Sequence, residues 1–128
     1  MTALARLTIE VPENEWLSAN DRRHWADKAA RTSALRGRAR LLARAAGLDP
    51  YTGPVLVWAL VKYPTARRAD PPNAYPTVKA IIDGLVDAGI FPDDDSDHVN
   101  LGFGRAAGKS RRGTYEIELI LTDQTVPF

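Results

Sequence analysis

Alternation of apolar and polar residues marks strands at both ends of this chain. Residues 7–11 and residues 115–121 carry an apolar side chain at every second position, a period that predicts half-buried strands. Val99, Leu101 and Phe103 show the same alternation and predict another strand. Residues 55–63 (VLVWALVKY) are apolar at almost every position. That run predicts a central strand covered on both faces.

A long first helix is predicted over residues 23–46. Leu35, Ala39, Leu42 and Ala46 follow one another at spacings of four, three and four, which is typical of one buried helix face. Gly47 stands where a C-terminal cap glycine is expected. Arginines occupy much of the remaining surface of this helix.

The second helix is predicted over residues 74–88. Its apolar positions fall at i, i+3, i+4 and i+7: Val78, Ile81, Ile82 and Leu85. Asn73 is the expected N-cap. Pro76 is tolerated in the first turn, where amide hydrogens have no helical partner. Gly89 is the expected stop.

The order of these elements is β-α-β-α-β-β, with the last two strands expected to form a hairpin. A chain of 128 residues suits one domain with one core. We therefore predict an α+β fold in which residues 1–128 form a single domain with a mixed β-sheet and two main helices.

Composition excludes several kinds of protein. The chain has no cysteine, so disulfides and thiolate metal sites are excluded. Its longest strongly apolar run is too short to span a bilayer. We expect a soluble protein without a membrane partner, and the absence of cysteine agrees with a cytoplasmic location.

Charge is unevenly distributed along a nearly neutral chain. Residues 21–47 hold eight basic and two acidic side chains, a net +6, and residues 105–112 hold four basic ones and no acidic one. Residues 83–97 hold six aspartates and no basic residue. This polarity favours a basic surface for a polyanion beside an acidic pocket for a cation. The alternative is a set of solvated faces on a neutral protein.

Four aspartates crowd into one predicted loop: Asp93, Asp94, Asp95 and Asp97. They repel one another unless a cation or solvent relieves them, and oxygen ligands suit Mg²⁺ or Mn²⁺. An EF-hand is excluded because His98 and Gly104 stand where that loop needs glycine and glutamate. A solvated acidic turn remains the alternative to a metal site.

Other candidate residues have structural explanations as well. Asp70 precedes a helix N-terminus, which favours an acid by itself. Lys79 and Asp83 lie one helical turn apart and suit a surface ion pair. Lys109 belongs to a Gly-Lys-Ser sequence, but Phe103 stands where a phosphate-binding loop needs its first glycine. We therefore expect no nucleotide triphosphate site.

Several of these residues occur in a characteristic order between residues 67 and 99. The order comprises Arg67, Arg68, Asp70, Asn73, Lys79, Asp83, Leu85, Ala88, Gly89, Asp93, Asp94 and Val99. It resembles the signature of the RusA family of crossover junction endodeoxyribonucleases. Residues 16–25 (WLSANDRRHW) look like the versions found in actinobacterial phages.

The resemblance implies a homodimer that binds four-way DNA junctions and cuts two strands of like polarity symmetrically with Mg²⁺ or Mn²⁺. By motif, the catalytic residues are Asp70, Lys79 and Asp94. Asp70 and Asp94 would hold the metal with help from Asp93. Pro72 departs from the family pattern, because the best-known members carry a further aspartate there. Asp93, Asp95 or Asp83 could replace it.

Further roles complete the hypothesis. The supporting residues are Asn73 and Asp83. The residues expected to contact DNA phosphates are Arg22, Arg23, Arg67, Arg68, Lys109, Arg111 and Arg112. Two alternatives stay open: a non-catalytic junction- or nucleic-acid-binding protein on the same fold, and an interaction protein whose charged surfaces bind another protein.

The single-site hypothesis makes a geometric demand. Asp70 and Asp94 flank the second helix, which at about 1.5 Å per residue is roughly 22 Å long. They can meet only if a flanking segment runs back along the helix. Residues 89–94, if extended, span about 17 Å at roughly 3.3 Å per residue.

Overall fold

A computed structural model describes residues 4–124 of the chain. Its elements are β1 (Leu4–Pro12), α1 (Trp25–Ala46), β2 (Val55–Lys62), a 3₁₀ turn (Pro71–Ala74), α2 (Tyr75–Asp87), β3 (Val99–Arg105) and β4 (Thr114–Asp123). The order is β-α-β-α-β-β, as predicted. The predicted α+β fold with a mixed sheet and two main helices is therefore confirmed.

The four strands form one sheet in the order β1-β4-β2-β3. β4 is antiparallel to both β1 and β2, whereas β2 and β3 are parallel. The predicted terminal hairpin is wrong, because β3 and β4 lie on opposite sides of β2. The reason is the β2-α2-β3 unit, whose helix crossover makes the two strands it joins parallel neighbours. Residues 106–113 then cross the end of β2 and lead into β4.

The two helices pack against each other and cover one face of the sheet. That face is built from strand residues with no exposed surface, including Ile9, Val57, Ala59 and Leu119. β2 is central, as predicted, but the prediction that both of its faces are covered is wrong. Trp58, on the other face, is 41% exposed. The hydrophobic core therefore lies between one helical layer and one side of the sheet.

The buried line of α1 differs from the predicted one. Leu35, Ala39 and Ala43 are buried, whereas Leu42 and Ala46 are exposed. The three buried residues repeat every four positions, and such i, i+4 rows form the ridges that pack against a neighbouring helix. The predicted residues, spaced four, three and four apart, belong to two different rows of the helix surface. No helix within residues 4–124 is both long and apolar enough to cross a membrane.

Both helices begin later than predicted. α1 begins at Trp25 rather than Arg23, and the Nδ1 atom of His24 caps it by accepting a hydrogen bond from the Ala26 amide at 3.2 Å. α1 ends at Ala46, and Gly47 is its C-terminal cap, as predicted, with a φ of 64°. That left-handed conformation favours glycine.

Asn73 does not cap α2, so this prediction is wrong. Asn73 lies inside the 3₁₀ turn, where its amide donates to the carbonyl of Asp70 at 2.9 Å. The side chain of Ala74, which precedes α2, has no capping group. Pro71 and Pro72 have no amide hydrogens to satisfy, so a short turn can lead into α2 without a side-chain cap.

Thr77 anchors the loop after β1 to α2. Its side chain has no exposed surface, and its Oγ1 accepts from the Leu17 amide at 2.8 Å and donates to the Leu17 carbonyl at 2.7 Å. Both groups of Leu17 are satisfied by this one hydroxyl. The loop that leads toward Arg22 and Arg23 is therefore fixed to the start of α2.

We expect Thr77→Val to destabilise the protein by about 1–3 kcal/mol, because the change leaves buried backbone groups without partners. Urea unfolding followed by circular dichroism measures this loss. Thr8→Val is the matched control, since Thr8 is exposed on β1, and it should change stability by less than about 0.5 kcal/mol. Equal stability of the two variants would contradict the anchoring role.

Candidate functional site

Lys79 is the centre of a charged cluster on α2. Its Nζ atom donates hydrogen bonds to Asp83 Oδ1 at 2.6 Å and to Asp94 Oδ2. Asp83 lies one turn further along the same helix, whereas Asp94 comes from the loop after α2. All three side chains are partly exposed. The structure thus brings together the predicted catalytic residues Lys79 and Asp94 with the predicted supporting residue Asp83.

The end of α2 explains how Asp94 reaches Lys79. The Gly89 amide donates to the carbonyl of Val86, and the Ile90 amide donates to that of Leu85. This pair of bonds is a Schellman motif, and the left-handed Gly89 at φ 82° closes it. Ile90 and Leu85 are both buried. The chain therefore reverses at Gly89 and returns along α2, as the geometric argument required for Asp94.

The aspartates of the acidic loop have different tasks. Asp95 organises the turn into β3, because its Oδ1 accepts from the Asp97 amide at 3.0 Å and contacts the Nδ1 atom of His98 at 2.7 Å. Asp93 Oδ1 accepts from the Asp94 amide at 2.7 Å. Hydrogen bonds thus relieve part of the repulsion in this loop, and Asp94 is the member that reaches the lysine.

The ion pairs shift the pKa values of both partners in the direction that keeps them charged. The hydrogen bond from Lys79, aided by its positive charge, holds the pKa of Asp94 below its usual value. Partial burial acts to lower the pKa of Lys79, but the hydrogen bonds to Asp83 and Asp94 outweigh it and raise this pKa. Lys79 and Asp94 therefore carry opposite charges at neutral pH.

A cavity of about 230 Å³ opens beside the cluster. Its walls are formed by Tyr75, Lys79, Ile82, Asp94, Ser96, Val99 and Leu101. Tyr75 is 47% exposed and packs edge-on against Phe103, with ring centroids 6.4 Å apart. One wall is therefore charged and the others are largely apolar, an arrangement that suits a ligand with a polar end.

Asp70 lies apart from this cavity, in the segment before the 3₁₀ turn. It is exposed and lines a second cavity, of about 150 Å³, together with Trp16, Ser18, Tyr63, Ala69, Asn73 and Ala74. Trp16 stacks on Tyr115 with ring centroids 3.9 Å apart. Burial raises the pKa of Tyr63, and the negative charge of Asp70 raises this pKa as well. Asp70 thus sits above an aromatic cluster.

The predicted metal ligands Asp70, Asp93 and Asp94 do not converge. Within residues 4–124, no three acidic or histidine side chains lie close enough together to hold a metal ion. Lys79 supplies the positive charge beside Asp94 instead. Pro72 adds no oxygen donor from its side chain.

Two basic segments meet at the end of the β2–β3 pair. Arg67 and Arg68 are exposed after β2, and the predicted phosphate contacts Lys109, Arg111 and Arg112 are exposed in the segment before β4. The two segments touch, because the Ser110 amide donates to the Tyr63 carbonyl at 2.9 Å. A cavity of about 510 Å³, lined partly by Ala66, Arg105 and Lys109, opens between them. Arg67, Arg68 and Lys109 therefore lie around one surface, whereas Arg111 pairs with Glu10 of β1 at 3.4 Å.

Arg105 also belongs to this basic surface; it was predicted as part of the basic segment of residues 105–112 but not as a phosphate contact. Its guanidinium lies over the ring of Tyr63, 4.8 Å from the ring centroid, and its Nη2 donates to the Thr65 carbonyl at 3.3 Å. Arg105 therefore links the two segments. The signal in the sequence is its place at the end of β3, which becomes informative only once the parallel pairing with β2 is known.

The arginines of α1 contribute less to a free basic surface than their number indicates. Several are bound within the protein: Arg31 donates to the carbonyl oxygens of Glu13 and Trp16, Arg36 pairs with Asp87, and Arg38 pairs with Glu15. Before α1, Arg22 is exposed and Arg23 pairs with Asp21 at 2.9 Å. These two lie shortly after Ser18, which lines the Asp70 cavity.

No family model matches this chain, and no curated protein gives a match.

Proposed function

We propose that this protein is a metal-dependent endodeoxyribonuclease that acts as a homodimer on four-way and other branched DNA junctions. The proposal joins the resemblance of residues 67–99 to an acidic cluster and a basic surface on one small domain. It implies a cytoplasmic location, in the bacterial host if the gene belongs to a phage.

The observation that supports the proposal most is the contact between Lys79 and Asp94. These residues are fifteen positions apart, and a Schellman turn and a reversed loop are needed to bring them together. A lysine beside aspartates at a cavity is an arrangement suited to phosphate chemistry.

The basic surface supports the choice of substrate. Arg67, Arg68, Arg105 and Lys109 are exposed around a wide, open cavity. Such side chains neutralise backbone phosphates and position DNA without reading its sequence. A protein that selects branched structures over sequences needs this kind of contact.

Mg²⁺ or Mn²⁺ is proposed as the cofactor from the chemistry of the donors, since carboxylate oxygens suit hard cations. When bound, such an ion activates water and neutralises charge on the phosphate. The arrangement of Asp70, Asp93 and Asp94 described above does not form its site, so a rearrangement of the acidic loop or of residues 67–73 belongs to the proposal.

We expect Asp70→Asn and Asp94→Asn each to reduce junction cleavage by at least about 100-fold, because metal-based charge stabilisation is worth several kcal/mol. The assay incubates labelled four-way junction with protein and Mg²⁺, Mn²⁺ or EDTA, beside linear duplex of the same sequence. Junction binding, measured in EDTA, should persist in both variants.

Asp87→Asn is the matched control, because Asp87 is an acid of α2 that pairs with Arg36 outside the cluster. It should cleave like the unmodified protein. Symmetric nicks in the unmodified protein that depend on metal and on the junction would support the proposal. Nicks that persist in EDTA, or in both Asp70→Asn and Asp94→Asn, would contradict it.

A non-catalytic junction-binding protein is the second candidate, and two observations favour it. Pro72 replaces an expected acid, and no three acidic or histidine side chains of residues 4–124 converge. The same assay separates the two candidates. Tight and structure-selective binding without cleavage in either metal would establish the second.

A further inference from the structure

The sheet has a second face that the helices leave open, and we call it the outer sheet face. Its side chains alternate with the core residues of each strand: Leu4, Arg6, Thr8 and Glu10 of β1; Glu116, Glu118, Ile120 and Thr122 of β4; Leu56, Trp58, Leu60 and Lys62 of β2; and Asn100, Gly102 and Gly104 of β3. None of the described helices covers it.

The centre of the outer sheet face is apolar. Trp58 lies directly opposite Ile120 on β4, with Leu56 and Leu60 on either side of it along β2. Leu4 extends the patch at one corner and is 45% exposed. A contiguous apolar patch of this kind on a soluble domain marks an interaction surface.

The position of Trp58 depends on two glycines of β3. A Cβ atom at Gly102 would collide with the six-membered part of the Trp58 ring, and one at Gly104 would lie 3.2 Å from Trp58 Nε1. The indole therefore lies flat across the two glycines. This packing spreads a broad apolar surface over the centre of the face.

The charges around the apolar centre balance. Three ion pairs surround it, each with one basic and one acidic partner: Arg6 with Glu118, Lys62 with Glu116, and Arg111 with Glu10. A polyanion is disfavoured here because every basic group lies beside a carboxylate. A surface that carries both signs in equal number suits a second copy of itself, since a two-fold interface sets each charge against the opposite sign elsewhere on the same patch.

The size of the face also suits a second copy. Four strands about 4.8 Å apart span about 19 Å, and eight residues of β2 span about 26 Å at roughly 3.3 Å per residue. The flat area is thus about 500 Å², and the relief of the side chains adds to it. Stable interfaces bury at least about 600 Å² on each partner, so a dimer needs the whole face together with the relief of its side chains.

We propose that a second copy of this chain binds the outer sheet face, with the two Trp58 side chains near the two-fold axis. This inference rests on the homodimer in the proposed function and names the surface that forms it. The outer sheet face lies on the opposite side of the sheet from α2, which holds Lys79 and Asp83. Dimerisation through it leaves the charged cluster free.

The test is sedimentation velocity of the full chain without DNA across a range of concentrations. The unmodified protein should dimerise, and Trp58→Lys should weaken dimerisation by at least about 30-fold, as expected for a central aromatic residue. Trp25→Lys is the matched control. Trp25 is a 74% exposed tryptophan on α1, and its replacement should leave the dimer intact. Ile120→Lys repeats the test on β4, so that misfolding of one variant does not decide the result.

A monomeric unmodified protein, or undiminished dimers in folded Trp58→Lys and Ile120→Lys, would overturn the inference. Quenching of tryptophan fluorescence by single-stranded DNA in a monomer, if it is absent from folded Trp58→Lys, would overturn it in favour of nucleic acid. Cleavage is measured separately. A monomer that cuts junctions contradicts only the proposed dimer surface, and a Trp58-dependent dimer that never cuts contradicts only the proposed nuclease activity.

Discussion

Lys79→Gln is expected to slow junction cleavage by about 100- to 1,000-fold, the usual cost of removing one group that stabilises charge in a transition state. In the structure, Asp83 and Asp94 neutralise Lys79. Lys79 can therefore act on a phosphate only when Asp94 is engaged elsewhere. Single-turnover cleavage at saturating protein measures the chemical step apart from binding.

Two comparisons separate catalysis from structure. Arg38→Gln breaks the ion pair between α1 and Glu15, which includes no residue of the cluster, and should leave cleavage unchanged. Asp83→Asn removes one partner of Lys79 and keeps the other. Junction affinity and thermal stability of Lys79→Gln are measured as well. If losses in these two properties account for the slower cleavage, the lysine serves the fold and the catalytic assignment is wrong.

Gly84→Ala should be the most disruptive small change in the helical layer, with a loss of about 1–3 kcal/mol from overpacking. Gly84 is buried where α2 meets α1. A Cβ atom there would collide with the Arg36 carbonyl oxygen and lie 2.8 Å from the Ala39 Cβ. The obstacle is partly backbone, so the helices must separate. Thermal unfolding should show a melting temperature lower by several degrees.

Gly37→Ala offers a control in the opposite direction. Gly37 lies on the exposed side of α1, and a Cβ atom there meets nothing within 4 Å. Alanine is favoured over glycine inside a helix by about 0.5–1 kcal/mol. We therefore expect Gly37→Ala to raise the melting temperature. A similar effect of both changes would mean that close helix contact does not explain Gly84.

Local patterns predicted most of the elements of this fold. The apolar spacing of Val78, Ile81 and Leu85 identifies α2, because these residues repeat along the buried side of the helix. Gly89 marks its end, because the Schellman motif needs a left-handed residue there. Such signals depend on neighbours in the chain, and the sequence contains them directly.

Errors arose where distant segments decide the structure. Strand pairing is one case: the alternation in residues 99–103 and 115–121 is the same for a hairpin and for two strands separated by β2. Leu42 is another, since its burial depends on which ridge of α1 faces α2. Asn73 is a good cap by type, but two prolines placed it in a 3₁₀ turn.

The candidate site was predicted in part. Lys79, Asp83 and Asp94 converge because the turn at Gly89 directs the chain backwards. Asp70 does not join them, since the 3₁₀ turn leads it toward Trp16 instead. Arg105 was not predicted as a phosphate contact because its partners Tyr63 and Thr65 precede it in the sequence by about forty residues.

The pairing of β1 with β4 affects how the chain folds during its synthesis. Leu4 pairs with Thr122 and Pro12 with Thr114, and within residues 4–124 β4 is the only strand beside β1. The ribosome therefore releases β1 more than a hundred residues before its partner. Ile9 and Val11 stay exposed to water and to other nascent chains throughout that interval. Contacts of such long sequence separation slow folding and leave apolar segments open to aggregation, so the sheet can be completed only after β4 has been made.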